Sequence, residues 1–403
     1  MSGTNDVTER NDGTGLSRVN GGSANGAPEE AVRTETANGT ENTAAGAPET
    51  TGTPEAQQTE PGNSVTARLE KLRGSKVVIT GGGGLVGSRL TRLLRSVDAE
   101  VTVLDRMDAY PDPVHEMFGA RRQGAELVVG DIGDRAAVRR VLAGADLLVH
   151  AAAFADVAAC TRRPDIAFAA NVAGTENVLE EAVAAGVRRL VFVSSAAVYG
   201  NGTAPLDGFQ RFSEDQTPHP LSVYANSKLW GEHQTRLLLA GTGTDYAVLR
   251  YFSVYGDPQT PKPGSHSWMV AWLAMHARAG LPMRLNGGGV QVRDLVHVDD
   301  IAAATALALV EDGVVGETVN VGSGIPTSVR EVAELIAPHY PGSRFVTTPR
   351  PADDPLGGYA DTDRLARLLR WTPGITVREG VDRYVRWLND TPDAVPAWLT
   401  EQV

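Results

Sequence analysis

Between Val65 and about Arg250, short β-branched and aliphatic runs alternate with stretches in which apolar residues return every three or four positions. Lys76–Thr80, Val101–Asp105, Leu127–Val129, Asp146–His150, Val191–Ser195 and Tyr246–Arg250 read as strands buried on both faces. The patterns between them, such as Leu90, Leu93 and Leu94, read as helices. Repeated strand–helix units predict an α/β fold: a doubly wound parallel sheet of Rossmann type, with ligands at the C-terminal ends of its strands. A helix from about Pro164 carries Asn171, and a Gly- and Pro-rich loop spans Gly200 to Pro220.

After Tyr251 the alternation loosens. A helix around Trp268–Ala279 is apolar on most faces, a strand at Glu317–Gly322 returns to the sheet, and helices come next near Val329–Ile336 and Thr362–Leu369. The predicted organisation is a dinucleotide-type domain over 66–250, with returning pieces near 297–322, and a smaller, discontinuous C-terminal region over 251–403. Residues 1–65 lack this patterning. They are rich in Gly, Ala, Thr, Asn, Glu and Pro, with ten acidic residues against three arginines. Such a segment buries too little apolar surface to offset its ordering entropy and is expected to be disordered.

Composition narrows the function classes. A net charge of -12 argues against nucleic acid as a partner. Cys160 is the single cysteine, which excludes an intrachain disulfide and a cysteine-built metal site, and no metal is expected. No apolar run approaches the roughly 20 residues that span a bilayer, and no signal pattern opens the chain. A reducing cytoplasm is the expected location.

Chemistry concentrates at the predicted strand ends. The first strand runs into Gly81-Gly82-Gly83-Gly84-Leu85-Val86-Gly87, where bare backbone lets a pyrophosphate approach the next helix N-terminus. The second strand ends in Asp105, placed to take a ribose 2′-hydroxyl and so to favour NAD over NADP, with Arg106 beside it. Asp131, in Gly130-Asp131-Ile132, stands where an adenine amino group would lie, and Ala151-Ala152-Ala153 lets a cofactor lie against a strand tip. His150 and His276 are expected to pack in the interior. Ser195 closes the fifth strand, and Tyr224 and Lys228 sit four residues apart, one helical turn. A cation beside a phenol favours phenolate, and a fall from about 10 to about 7 needs roughly 4 kcal/mol. The lysine together with a positive nicotinamide is expected to supply it, making a base that takes an alcohol proton.

Thr80–Ser88, Gly130–Ile132, Asn171–Thr175, Ser194–Gly200, the Tyr224/Lys228 pair and Arg293–Asp300 together resemble the extended short-chain dehydrogenase/reductase family, in its nucleotide-sugar epimerase/dehydratase branch of UDP-glucose 4-epimerase type. The resemblance covers roughly residues 74–390. It implies tightly held NAD, a nucleoside-diphosphate sugar in the C-terminal region and a homodimer formed through the helices after Pro164 and Tyr224, with Leu229 and Trp230 offering apolar surface. By position, Ser195 would bond the reacting sugar oxygen, Tyr224 would be the base, and Lys228 would bind the nicotinamide ribose. The cofactor set is Gly81, Gly84, Leu85, Val86, Gly87, Asp105, Arg106, Asp131, Ile132, Ala151, Ala153, Asn171, Tyr224, Lys228 and Tyr251. Substrate contacts fall to Ser195, Ser253, Arg293, Arg350 and Asp353, with both arginines on phosphate. Gly357 and Gly358 suggest room near the sugar.

Two departures bear on the reaction. Ser253 stands where many relatives carry Asn. Ala196 and Ala197 stand where 4,6-dehydratases place Asp-Glu, so elimination is disfavoured. The expected activity is 4-epimerisation by transient oxidation to a 4-keto sugar. The alternatives are a 4-ketoreductase or dehydrogenase, a 4,6-dehydratase, and, outside enzymes, an NAD-binding regulatory scaffold.

Overall fold

In a computed structural model, which describes residues 34–36, 64–119, 122–201, 209–262, 268–350 and 356–400, Lys76–Thr80 (β1) is an inner strand of a seven-stranded sheet. The others are Glu100–Asp105 (β2), Glu126–Val129 (β3), Leu147–His150 (β4), Arg189–Ser195 (β5), Asp245–Tyr251 (β6) and Thr318–Val321 (β7). Their spatial order is β3-β2-β1-β4-β5-β6-β7, and every neighbouring pair is parallel. Register decides which residues reach the sheet's C-terminal rim. Thr80 pairs with His150, His150 with Phe192, and Ser195 with Tyr251, so β5 carries Ser195 three residues beyond the end of β4.

Strand alternation builds two cores. Val77, Ile79, Val149, Val191 and Leu249 face one side, under Leu85–Arg95 (α1) and Val298–Ala308. Val78, Leu148, Leu190, Phe192 and Val248 face the other, under Arg135–Leu142, Thr175–Ala184 and Val223–Leu239. Fully burying one such aliphatic side chain contributes about 1.5–3 kcal/mol, so the apolar runs fix the sheet.

The helix expected from Pro164 is interrupted. After Pro164–Ala167 the backbone widens to a π-helical turn over Phe168–Gly174, then resumes as Thr175–Ala184. Gly174 lies so close to Ile132 that an added Cβ would come within 2.8 Å of its Cδ1.

The later residues form smaller sheets. Val292–His297 pairs antiparallel with Pro326–Ser328 and parallel with both Gly357–Ala360 and Ser253–Tyr255. Gln210–Phe212, inside the predicted loop, joins Gly357–Ala360. These pairings correct the reading of Gly357 and Gly358 as room for a sugar. A Cβ would meet the Val292 carbonyl oxygen at 2.0 Å at Gly357, and that of Gln210 at 2.3 Å at Gly358. The glycines let strands pack. A third core holds Met269–Arg278, Val329–Ile336 and the unforeseen helix Val377–Asp390. Trp268 precedes its helix as a left-handed residue, φ 68°, and is not part of it. Of the leading segment, Thr34–Thr36 is a strand antiparallel to Arg344–Thr348, so the expectation of disorder does not hold for these three residues. Residues 1–33 and 37–63 lie outside the described residues.

Candidate active site

The glycine loop divides its labour. Gly81 has φ 74°, and a Cβ there would stand 2.5 Å from the Ala152 nitrogen; at Gly87 it would stand 2.3 Å from Gly82 Cα. Those two are demanded by packing of the chain on itself. Gly84 differs: its nearest neighbour to an added Cβ is 3.9 Å away, so that face is open. Gly84 is also the N-cap of α1, and no side chain caps the helix. Leu85 and Val86 open that first turn, where backbone N–H groups and the dipole favour an anion. A cradle that a methyl group would fill, at a helix N-terminus, fits a pyrophosphate.

Asp105 ends β2 with its carboxylate already aimed. Oδ2 accepts from Gly83 N at 2.9 Å and Oδ1 from Met107 N at 2.8 Å. Arg106 pairs with Asp108 and, at 3.3 Å, with Asp131, so it ties the β2 loop to the Gly130 loop. Asp131 also accepts from Gly133 N at 2.8 Å, while Ile132 is buried. Ala151 and Ala153 are half-buried at the β4 tip.

Asn171, on the π-helical turn, is buried and fully engaged. Its Oδ1 accepts from Phe154 N at 2.7 Å, and its Nδ2 donates to the Phe154 carbonyl at 3.1 Å and to Ser227 Oγ at 3.0 Å. Ser227 Oγ in turn donates to the Tyr224 carbonyl at 2.8 Å. The Cys160 thiol, also buried, donates to the Phe154 carbonyl.

Ser195, Tyr224 and Lys228 converge. The Ser222 hydroxyl caps Val223–Leu239 by accepting from Ala225 N, which sets Tyr224 in the first turn. Burial pushes the Tyr224 phenol up to about 12, and the nearby Ser195 hydroxyl opposes that rise. Lys228 is buried; its Nζ donates to the Val193 carbonyl at 2.8 Å and lies 5.3 Å from the centre of the Phe192 ring. Burial lowers it to about 8. The Lys228 ammonium is engaged by a carbonyl, and the causes that set the Tyr224 phenol are burial, Ser195 and Cys160; the expected fall rests on the lysine and a nicotinamide together.

Two histidines pack as expected. His150 bridges Thr80, at 2.7 Å, and Thr175, at 3.0 Å, and burial lowers it to about 3. His276, only half-buried, lies tilted against Trp272 with its Nδ1 on that residue's carbonyl. Tyr251 is a correction among the cofactor contacts. Strand alternation puts it on the Leu249 side, where its hydroxyl meets Thr305 at 2.5 Å, so its side chain belongs to the core.

On the substrate side, Ser253 pairs across neighbouring strands with Leu295, which lies two residues beyond Arg293. Arg293 is half-buried, with Nη1 on the Val292 carbonyl at 2.8 Å. Arg350 is exposed beside the turn Gly287–Gly289, and Arg330, unremarked in sequence, donates to the Gly288 carbonyl of that turn at 2.9 Å. Asp353 lies outside the described residues. Asp294, next to Arg293, is structural: it accepts from Ser323 N, Gly324 N and Ala360 N.

The family model described as NAD dependent epimerase/dehydratase family matches residues 77–322. UDP-glucose 4-epimerase of Azospirillum brasilense is 31% identical over 330 residues, covering 76% of this chain and 90% of the relative. Among solved structures, UDP-glucose 4-epimerase of Thermotoga maritima with UDP-glucose superposes with a TM-score of 0.72 at 27% identity, covering 79% of this chain and 100% of that one. UDP-glucose 4-epimerase of Thermus thermophilus, in complex with NAD, gives 0.68 at 29% identity, with 78% and 99% covered.

Proposed function

Because the chain belongs to the NAD dependent epimerase/dehydratase family, we propose that it is a nucleotide-sugar 4-epimerase acting through a transient 4-keto sugar. The observation that carries the reading is that Ser195, at the end of β5, faces the Tyr224 phenol and opposes its rise in pKa, with Ala196 and Ala197 directly after that serine. Ser195 and Tyr224 offer a donor and a base to one sugar oxygen. Neither alanine can move a proton, so nothing at those two positions serves elimination of water.

NAD, when bound, accepts and returns the hydride; Gly84, the α1 N-terminus and Asp105 would hold it. Tyr224 takes the proton of the C4 hydroxyl, Ser195 steadies that oxygen as it becomes a ketone, and Lys228 holds positive charge one turn along the same helix. The same groups return the proton after the sugar presents its other face. Arg293 and Arg350 would engage the substrate diphosphate, and Ser253 the nucleotide. Exposed Phe168 and Leu237, on the helical segments after Pro164 and Tyr224, support a homodimer, although Leu229 and Trp230 are only half-exposed. Among the described residues no helix is long and apolar enough to cross a membrane. A reducing cytoplasm suits the buried thiol of Cys160.

The test is to incubate the purified chain with UDP-, dTDP- and GDP-hexoses and follow C4 inversion by NMR. Inversion without net consumption of NAD(P)H supports the epimerase. Net consumption assigns a ketoreductase or dehydrogenase instead. If Tyr224→Phe leaves every measured property unchanged, the scaffold reading takes its place.

A further inference from the structure

Tyr224, Lys228 and Glu232 succeed one another at four-residue steps, so one stripe of Val223–Leu239 carries a phenol, an ammonium and a carboxylate. Glu232 has no exposed surface. Its Oε1 accepts from Ser194 Oγ at 2.6 Å and from Arg250 Nε at 2.9 Å, and its Oε2 accepts from Arg250 Nη2 at 2.7 Å. Arg250 Nη1 donates to the Tyr199 hydroxyl at 2.8 Å, which donates to Asn320 Oδ1 at 2.7 Å. One polar chain thus joins the helix of Tyr224 to β5, β6 and β7. Apolar side chains of similar volume would stabilise such a position as well or better, so stability alone does not account for a buried ion pair here.

Several groups face Lys228. From β5 come the Val193 carbonyl and the Phe192 ring; from β4, His150; from Val157–Arg162, Cys160; from its own helix, Tyr224 and Glu232. His150, lowered to about 3, is neutral near pH 7, and so is Cys160, pushed up to about 11 by burial. Glu232 is the standing negative charge that Lys228 meets, with buried Arg250 and, at 3.6 Å, the more exposed Arg236 behind it.

We infer that Glu232 is a positioning residue for the Tyr224–Lys228 pair: through Ser194 it holds the end of β5, and with it Ser195, against the helix, and its carboxylate keeps Lys228 charged in a dry site. The inference rests on the epimerase reading only where activity is measured.

The chain contains four lysines, Lys71, Lys76, Lys228 and Lys262. Labelling the lysine ε-carbons with 13C therefore gives four resonances, and the one missing in Lys228→Arg belongs to Lys228. Titrating the purified full chain then reads its midpoint without any substrate. Glu232→Gln preserves the acceptor for Ser194 but leaves Arg250 unneutralised, and the Lys228 midpoint is expected to fall by about one unit or more. With a turned-over nucleotide sugar, the alkaline limb of kcat moves down by the same amount, and KM changes less than about twofold. Glu232→Gln/Arg250→Met removes both charges and leaves no lone buried cation; it serves if the single variant does not fold, and a smaller fall is expected there. An unmoved Lys228 midpoint in a folded variant overturns the inference, even if kcat drops. If the wild-type chain inverts no nucleotide sugar, the epimerase reading fails while the midpoint still decides the role of Glu232.

Discussion

Asn171 grips both polar groups of one residue, Phe154: its Oδ1 accepts from that N–H at 2.7 Å and its Nδ2 donates to that carbonyl at 3.1 Å. The loop after β4, against which a cofactor would lie, is therefore fastened to the helix of Tyr224, since the same Nδ2 reaches Ser227.

Asn171→Ala strips the acceptor from the half-buried Phe154 N–H and leaves its carbonyl only the Cys160 thiol. The expected cost is about 1–3 kcal/mol of stability and about tenfold or more in kcat. Urea unfolding and steady-state kinetics on the same sample check it. Asn171→Asp keeps the acceptor for Phe154 N but loses both donated bonds, so it is expected to fall between.

Gly84 and Gly87 are expected to fail differently. At Gly84 the backbone is extended, φ -92°, which any residue adopts, and the missing Cβ faces open space. Gly84→Val should therefore fold normally and bind NAD at least about tenfold more weakly. Gly87→Ala drives a methyl group into Gly82 Cα, and should lower stability by about 3 kcal/mol or more. Thermal unfolding and NAD titration separate the two.

Lys228 fixes an alkaline limit. Burial lowers it to about 8, and it carries charge only below its own pKa. Activity that needs the ammonium is therefore present on the acid side and declines as pH rises through about 8. The measurement is kcat from pH 6 to 10 with saturating substrate; a flat profile would separate turnover from the charge of Lys228.

His150 contributes to acid sensitivity. It is neutral in the folded chain down to about 3, whereas the unfolded imidazole takes up a proton near 6.5. The unfolded state thus binds more protons between those values, and stability is lost as pH falls below about 6.5. His150→Gln, which preserves polar contact with Thr80 and Thr175, should flatten that decline in urea midpoints between pH 7 and 5.

How much of this is legible in the sequence depends on how local its cause is. The strands of the large sheet announce themselves because burial on both faces leaves uninterrupted apolar runs, and Gly81, Asp105, Ser195, Tyr224 and Lys228 stand at their ends or one turn away. Tyr251 goes astray because a motif position does not say which face of a strand a side chain takes. Gly357 and Gly358 answer to carbonyls contributed by Val292 and Gln210, far off in sequence. The acid–base state of Tyr224 is hidden for the same reason: it depends on burial and on Ser195 and Cys160, which come from other parts of the chain. Val377–Asp390, by contrast, is within reach of pattern alone, since buried Val381, Tyr384, Val385 and Leu388 recur at helical spacing in plain view.

The π-helical turn at Phe168–Gly174 inserts length without breaking the run of helix from Pro164 to Ala184. Each helical residue advances the azimuth by about 100°, so deleting any one residue there, though it would restore regular α-helical bonding, would swing everything on one side of the cut around the axis relative to the other. Asn171 could then no longer reach Phe154 and Ser227 while Val178 and Leu179 stayed under the sheet. This stretch can exchange side chains more readily than it can change its number of residues.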